Sequence, residues 1–167
     1  MVAALTFRKF KPVYIITAIL VAINLFLPAP LEARTFKNFE AIARRKFQEQ
    51  KYDEAITYYR KHLRRHSRDY NAWNQMGAAY YHVGLPKRGL RYLKQVQRKT
   101  INRSYNYYYQ GLCYIAIGNK RRTRQYLSYV ASRYSDEYAA RATFELGLFE
   151  YKNRDARKAA YWLNIYN

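Results

Sequence analysis

The sequence predicts an all-α protein, an α-solenoid of about four helix-turn-helix hairpins, and three observations carry that prediction. Small residues recur with a period of 34 at Ala43, Gly77 and Gly111, and Gly147 follows 36 later. A second set, Ala55, Gly89, Thr123 and Ala159, keeps the same three intervals twelve residues downstream. Past Arg34 the chain alternates helical stretches with short polar breaks. A two-helix unit of this size cannot bury its apolar face alone, so copies stack and leave an inner surface suited to binding.

The first 33 residues stand apart from this pattern. Met1 to Lys11 is basic without acids, Val13 to Leu27 is apolar but for Thr17 and Asn24, and Pro28-Ala29-Pro30-Leu31-Glu32-Ala33 follows. That order matches a secretory signal peptide cleaved after Ala33. The apolar run is also only slightly short of a bilayer span, so an uncleaved anchor over residues 12–31 is the other reading. Both readings export residues 34–167 to the periplasm or cell envelope. No cysteine closes the apolar run, which excludes a bacterial lipoprotein anchor.

Eight helices are expected, at about 36–49, 52–66, 70–83, 86–100, 104–117, 120–133, 137–152 and 156–166, paired in units of about 36–69, 70–103, 104–138 and 139–167. Ser67-Arg68-Asp69, Asn102-Arg103-Ser104, Ser135-Asp136 and Asp155 offer N-cap side chains. Pro86 suits the first position of its helix. Gly84 and Gly118 suit the left-handed residue that ends one. The small residue in the middle of each first helix lets the second helix approach closely, and bulky residues fill the gaps between hairpins.

On these residues the chain resembles the tetratricopeptide repeat family. The second unit carries the pattern through Trp73, Met76, Gly77, Tyr80, Gly84, Gly89, Leu93 and Val96. The first agrees at Phe39, Ile42, Ala43 and residues 51–59, the third at Tyr107, Gly111, Tyr114, Gly118, Leu127 and Val130, and the fourth at Leu146, Gly147, Ala159 and Leu163. The closing proline of each unit is replaced by Ser67, Ile101 and Ser135. Thr143, Glu150 and Arg154 stand where an aromatic, a tyrosine and a glycine are usual, which puts the path of the last hairpin in question.

The resemblance implies a concave face lined by the first helix of each pair. Its groove positions hold Arg44, Phe47, Asn71, Asn74, Gln75, Tyr81, His82, Tyr105, Tyr108, Tyr109, Leu112, Arg141, Phe144, Glu145 and Tyr151. Tyrosine and amide side chains can grip an extended peptide or a helix, with aromatic area at low entropy cost and amides that pair with backbone. The alternative is that Tyr108 and Tyr109 merely pack along neighbouring helices, as aromatic stripes at helical spacing usually do. The family's carboxylate clamp does not match, because its places hold Glu40, Arg44, Gln75, Tyr105 and Tyr109.

Charge marks the outer helices. The chain has 20 tyrosines and a formal charge of +20, nearly all of it after residue 33. Arg60, Lys61, Arg64 and Arg65, then Arg88, Arg91, Lys94 and Arg98, then Arg121 and Arg122 recur at helical spacing, and stacking aligns them into a basic convex face. Such a face is either a solvated surface or a dock for membrane lipid or cell-wall polymer. Export argues against nucleic acid, although a cytosolic location would revive a helical-repeat RNA binder.

The remaining chemistry is sparse. Cys113 is the only cysteine and falls on an apolar helix face. His62 and His66 lie four apart, but no acid sits between them and the basic neighbours oppose a cation, so no metal is expected there. No cofactor loop, nucleophile elbow or paired-carboxylate motif occurs, and the chain is not expected to be an enzyme. Tyr161, Trp162, Ile165 and Tyr166 make the last helix apolar where solenoids carry a polar cap, a second candidate interface for a partner or a second copy. These features imply an exported adaptor that holds a protein segment during assembly or maintenance of an envelope complex. The rival is a basic module for anionic polymer or lipid.

Overall fold

The structure is a computed structural model and describes residues 38–166. The expected signal peptide or anchor at residues 1–33 lies outside them. Among the described residues there are eight helices: α1 (Phe39–Gln48), α2 (Tyr52–Leu63), α3 (Tyr70–His82), α4 (Pro86–Val96), α5 (Arg103–Ile117), α6 (Lys120–Arg133), α7 (Glu137–Lys152) and α8 (Ala156–Tyr166). None of them is long and apolar enough to cross a membrane.

Each helix packs on its neighbours in the chain, so the fold is a helical-repeat solenoid of four hairpins. α3 also touches α5, and α5 touches α7, while no comparable contact joins one second helix to another among the described residues. First helices therefore crowd the inner side of the curve and second helices fan outward.

The caps explain where helices start. Asp69 accepts the Ala72 amide, Asn119 the Arg122 amide, and Asp136 the amides of Tyr138 and Ala139, each satisfying donors the helix cannot satisfy itself. Asn102 caps α5 by position without a side-chain bond. Two helices end earlier than the sequence predicts. After Leu63 the chain turns toward Asp69, which holds the ring of His62 at 2.8 Å. After Val96 it unwinds so that Thr100, a buried residue, receives the Asn74 amide at 2.6 Å.

The turn inside each hairpin repeats in backbone conformation more faithfully than in sequence. Gly84 and Gly118 take φ of 75° and 80°, and the equivalent Gln50 and Arg154 take 60° and 61°. The missing glycine at 154 thus leaves the turn in place, with a side chain held in a region L-residues disfavour.

Small residues lock each hairpin shut. A Cβ on Gly77 would lie 2.7 Å from Leu93, one on Gly147 would lie 2.6 Å from Leu163, and one on Gly111 would collide with Leu127. Each first-helix glycine thus receives the leucine sixteen residues later. At Gly89 the clash is with backbone instead, since its Cβ would meet the Gly77 carbonyl oxygen at 2.6 Å.

A second repeated device ties one hairpin to the next. Arg60 of α2 donates to the Tyr80 hydroxyl of α3, Lys94 of α4 lies 5.5 Å from the Tyr114 ring centre of α5, and Arg124 of α6 grips Glu150 of α7 with two bonds of 2.6 and 2.7 Å. Tyr80, Tyr114 and Glu150 occupy the same place in successive units, so Glu150 replaces a tyrosine and answers the outer cation with a carboxylate. Packed aromatic and aliphatic side chains complete the interior in two clusters. One joins the first two hairpins and the other runs from the second hairpin to the fourth.

Candidate functional site

The inner face is a layer of aromatic rings carried by the first helices. On α5, Tyr105, Tyr108 and Tyr109 are all buried, because α3 and α7 close over them from either side. The Tyr105 hydroxyl donates to Gln75 at 2.9 Å, and its ring lies 5.1 Å edge-on to Tyr138. Tyr109 meets Tyr81 at 6.1 Å and His82 at 5.7 Å. His82 in turn stacks on Tyr52 at 4.4 Å, which extends the layer to the first hairpin.

This geometry corrects part of the sequence reading. Asn74 is 1% exposed and bonds Thr100 and Asn106, so it lies inside the protein and not on the groove. Tyr108 and Tyr109 pack along neighbouring helices, and so does Tyr105, whose ring helical spacing alone did not place. These three form the floor beneath the accessible residues. Arg44 and Arg141 are exposed, Asn71, Gln75 and Tyr81 are half-buried, and Tyr151 is 71% exposed. Arg141 lies 5.7 Å from the centre of the Tyr138 ring, and Arg44 pairs with Glu40 one turn away.

Burial sets the protonation of this face. It pushes the Tyr109 phenol up to about 12 and raises Tyr81 and Tyr108, with the nearby Glu145 charge adding to both. Burial also raises Glu145 and lowers the His82 imidazole, since the surrounding rings take water away from the charged forms. The phenols therefore stay protonated and can donate hydrogen bonds, while His82 favours its neutral form. A surface of this kind offers aromatic area and directional donors and acceptors with few fixed charges. Cys113 is fully buried with its thiol raised to about 12 by burial, so it supplies no nucleophile to the face.

No protein-family model matches this chain, and no curated protein matches it in sequence.

Several residues escaped the sequence reading. Tyr52 and Tyr138 belong to the aromatic layer, and only the approach of separate hairpins puts them there. A buried amide chain runs from Asn74 through Asn106 and Gln110 to Gln97 and the Tyr107 hydroxyl, with bonds of 2.7 to 3.0 Å. It crosses from the second hairpin to the third, where a slipped register would strand several polar groups at once. Asn106 and Gln110 gave one signal, as polar residues four apart on the apolar face of α5. The outer end of this chain opens at a cleft of about 260 Å³ lined by Gln97, Tyr107, Gln125, Tyr126 and Tyr129.

On the outer side Arg60, Lys61, Arg64, Arg65, Arg88, Arg91, Lys94, Arg98 and Arg121 are exposed, and Arg122 is half-buried. Several lie over rings instead of beside carboxylates: Lys61 over Tyr58 at 5.1 Å, Arg65 over Phe39 at 5.6 Å and Arg91 over Tyr92 at 5.4 Å. Their apolar stems cover aromatic area while the charged heads stay wet. Arg60 and Lys94 serve as the clasps described above, so the stripe is partly structural. At the far end Tyr161, Ile165 and Tyr166 are exposed, Tyr166 leans on Phe144 at 5.2 Å, and Trp162 packs against the core.

Proposed function

We propose that this chain is an exported scaffold of the tetratricopeptide type whose inner face holds a segment of a partner protein within the cell envelope. The observation that carries the reading is the continuous aromatic layer from Tyr52 and His82 through Tyr81 to Tyr138, rimmed by Gln75 and Arg141. Rigid rings with a few amides and hydroxyls suit a peptide or helix, and the tight floor beneath them lowers the entropy cost of binding. Export rests on the order of basic, apolar and small residues before Arg34.

The test is photocrosslinking in the native cell from single positions. A crosslinker at Gln75, Arg141 or Tyr151 should give one discrete adduct, and one at Lys61 or Arg98 on the outer helices should not give the same adduct. Equal labelling from both faces, or from neither, would remove the groove from the mechanism.

The exposed outer cations favour one second reading, a basic module that docks on anionic lipid or wall polymer. None of the nine exposed ones has a carboxylate partner among the described residues. Flotation with anionic vesicles that collapses as salt rises, and that falls when Arg64, Arg65, Arg88 and Arg91 become serine, would support it.

A further inference from the structure

The junction of the first two hairpins gathers a carboxylate from α1, an imidazole from α2 and the carboxylate that caps α3. Glu40, His62 and Asp69 each offer one ligand atom, and these atoms all lie within 4.8 Å of one another. We propose that Glu40, His62 and Asp69 form a binding site for a divalent transition metal of the zinc class, fastening the first hairpin to the second.

The donor set fits that chemistry. One imidazole and two carboxylates suit zinc with a water in the remaining position, whereas magnesium avoids the imidazole. Both carboxylates are already oriented by a second bond. Asp69 accepts the Ala72 amide at 2.9 Å through Oδ1 and meets His62 Nε2 through Oδ2, and Arg44 pairs with Glu40 through Oε1. Such supporting bonds are how proteins hold metal ligands in place. The metal would replace the proton shared between His62 and Asp69.

An independent observation points to an absent ligand. Tyr59 is fully buried, its hydroxyl has no hydrogen-bond partner among the described residues, and it feels the charges of Arg44, Glu40 and Asp69. Buried hydroxyls are ordinarily satisfied, so an orphan close enough to feel these charges marks a missing partner. A metal-bound water supplies one.

The sequence argued against a cation here because it paired His62 with His66 amid basic residues. The fold makes a different set. His66 merely stacks on His62 at 4.7 Å, and the two carboxylates come from helices on either side. Arg44 pairs with Glu40, and its exposed side chain is free to swing outward when metal enters.

The experiment uses the full chain, stripped by chelator and titrated with zinc chloride or cobalt chloride alone. Expected results are one equivalent bound per chain, visible Co²⁺ ligand-field bands, a higher melting temperature with Zn²⁺, and no response to Mg²⁺. Glu40→Gln should keep the metal-free melting temperature and weaken zinc binding at least about tenfold. His66→Asn and His82→Asn should bind as the native chain does. Absence of saturable zinc and cobalt binding by the native chain overturns the site. So does binding unaffected by Glu40→Gln, or binding lost with His66→Asn or His82→Asn. The cobalt spectrum on the native chain decides the question even if the Glu40 variant misfolds.

Discussion

Replacing Arg124 by methionine should uncouple the last hairpin. Glu150 is 1% exposed and receives both of its close bonds from the Arg124 guanidinium. Arg124→Met keeps most of the apolar stem and leaves that carboxylate buried without its counter-charge. Breaking a buried pair from one side costs about 3 to 5 kcal/mol. Here the lower end applies, about 3 kcal/mol, because Arg124 is 39% exposed and water can enter where it stood. Over the roughly 130 described residues, that loss corresponds to a fall of about 10 °C in melting temperature if unfolding stays cooperative. Far-UV circular dichroism against urea measures it. Where the last hairpin melts on its own, the same loss shows as an early transition, because hairpins in a solenoid are coupled only to their neighbours. Arg124→Met with Glu150→Leu should recover most of the loss, since apolar pairs substitute well for buried ion pairs. An Arg124→Met variant within about 0.5 kcal/mol of the native chain at neutral pH would refute the clasp, because that is the range of an ordinary surface change.

Arg154→Gly should raise stability by about 0.5 to 1 kcal/mol in the same urea assay, since relief of the left-handed strain exceeds the entropy cost of glycine. Gly89→Ala should lower it by about 1 to 2 kcal/mol despite better helix propensity, because the added methyl meets the Gly77 carbonyl and helix backbones must part. The Cys113 thiol should resist a thiol-reactive disulfide reagent at pH 8 in native buffer and react at once in urea, its thiolate being disfavoured by burial. His82 should titrate below the ordinary histidine value by NMR. Its folded pKa is depressed, so it binds fewer protons than the unfolded chain between the two values, and stability falls as pH drops from about 6.5. His82→Phe should flatten that slope.

The helices and their pairing were legible because both are local. Spacing of small and apolar residues, caps such as Asp69 and Asp136, and glycines at 84 and 118 act within a few turns of chain. Glu150 and Arg154 looked like breaks in the pattern. The fold absorbs them, one by an ion pair to α6 and the other by keeping the turn at the cost of strain. The inner face was legible only in outline. The resemblance puts Tyr105 and Asn74 at groove positions but cannot say how closely neighbouring first helices approach, and that approach buries both.

By itself the sequence determined the solenoid, because a repeated period forces equivalent helices into equivalent packing. Tertiary structure decided which tyrosines are floor and which are surface, and which of the outer cations are clasps. It also brought Glu40, His62 and Asp69 within reach of one another. Exposure and encounter between distant residues depend on the separation of neighbouring hairpins. That separation is set by the bulk of every side chain between them and by no single position in the chain.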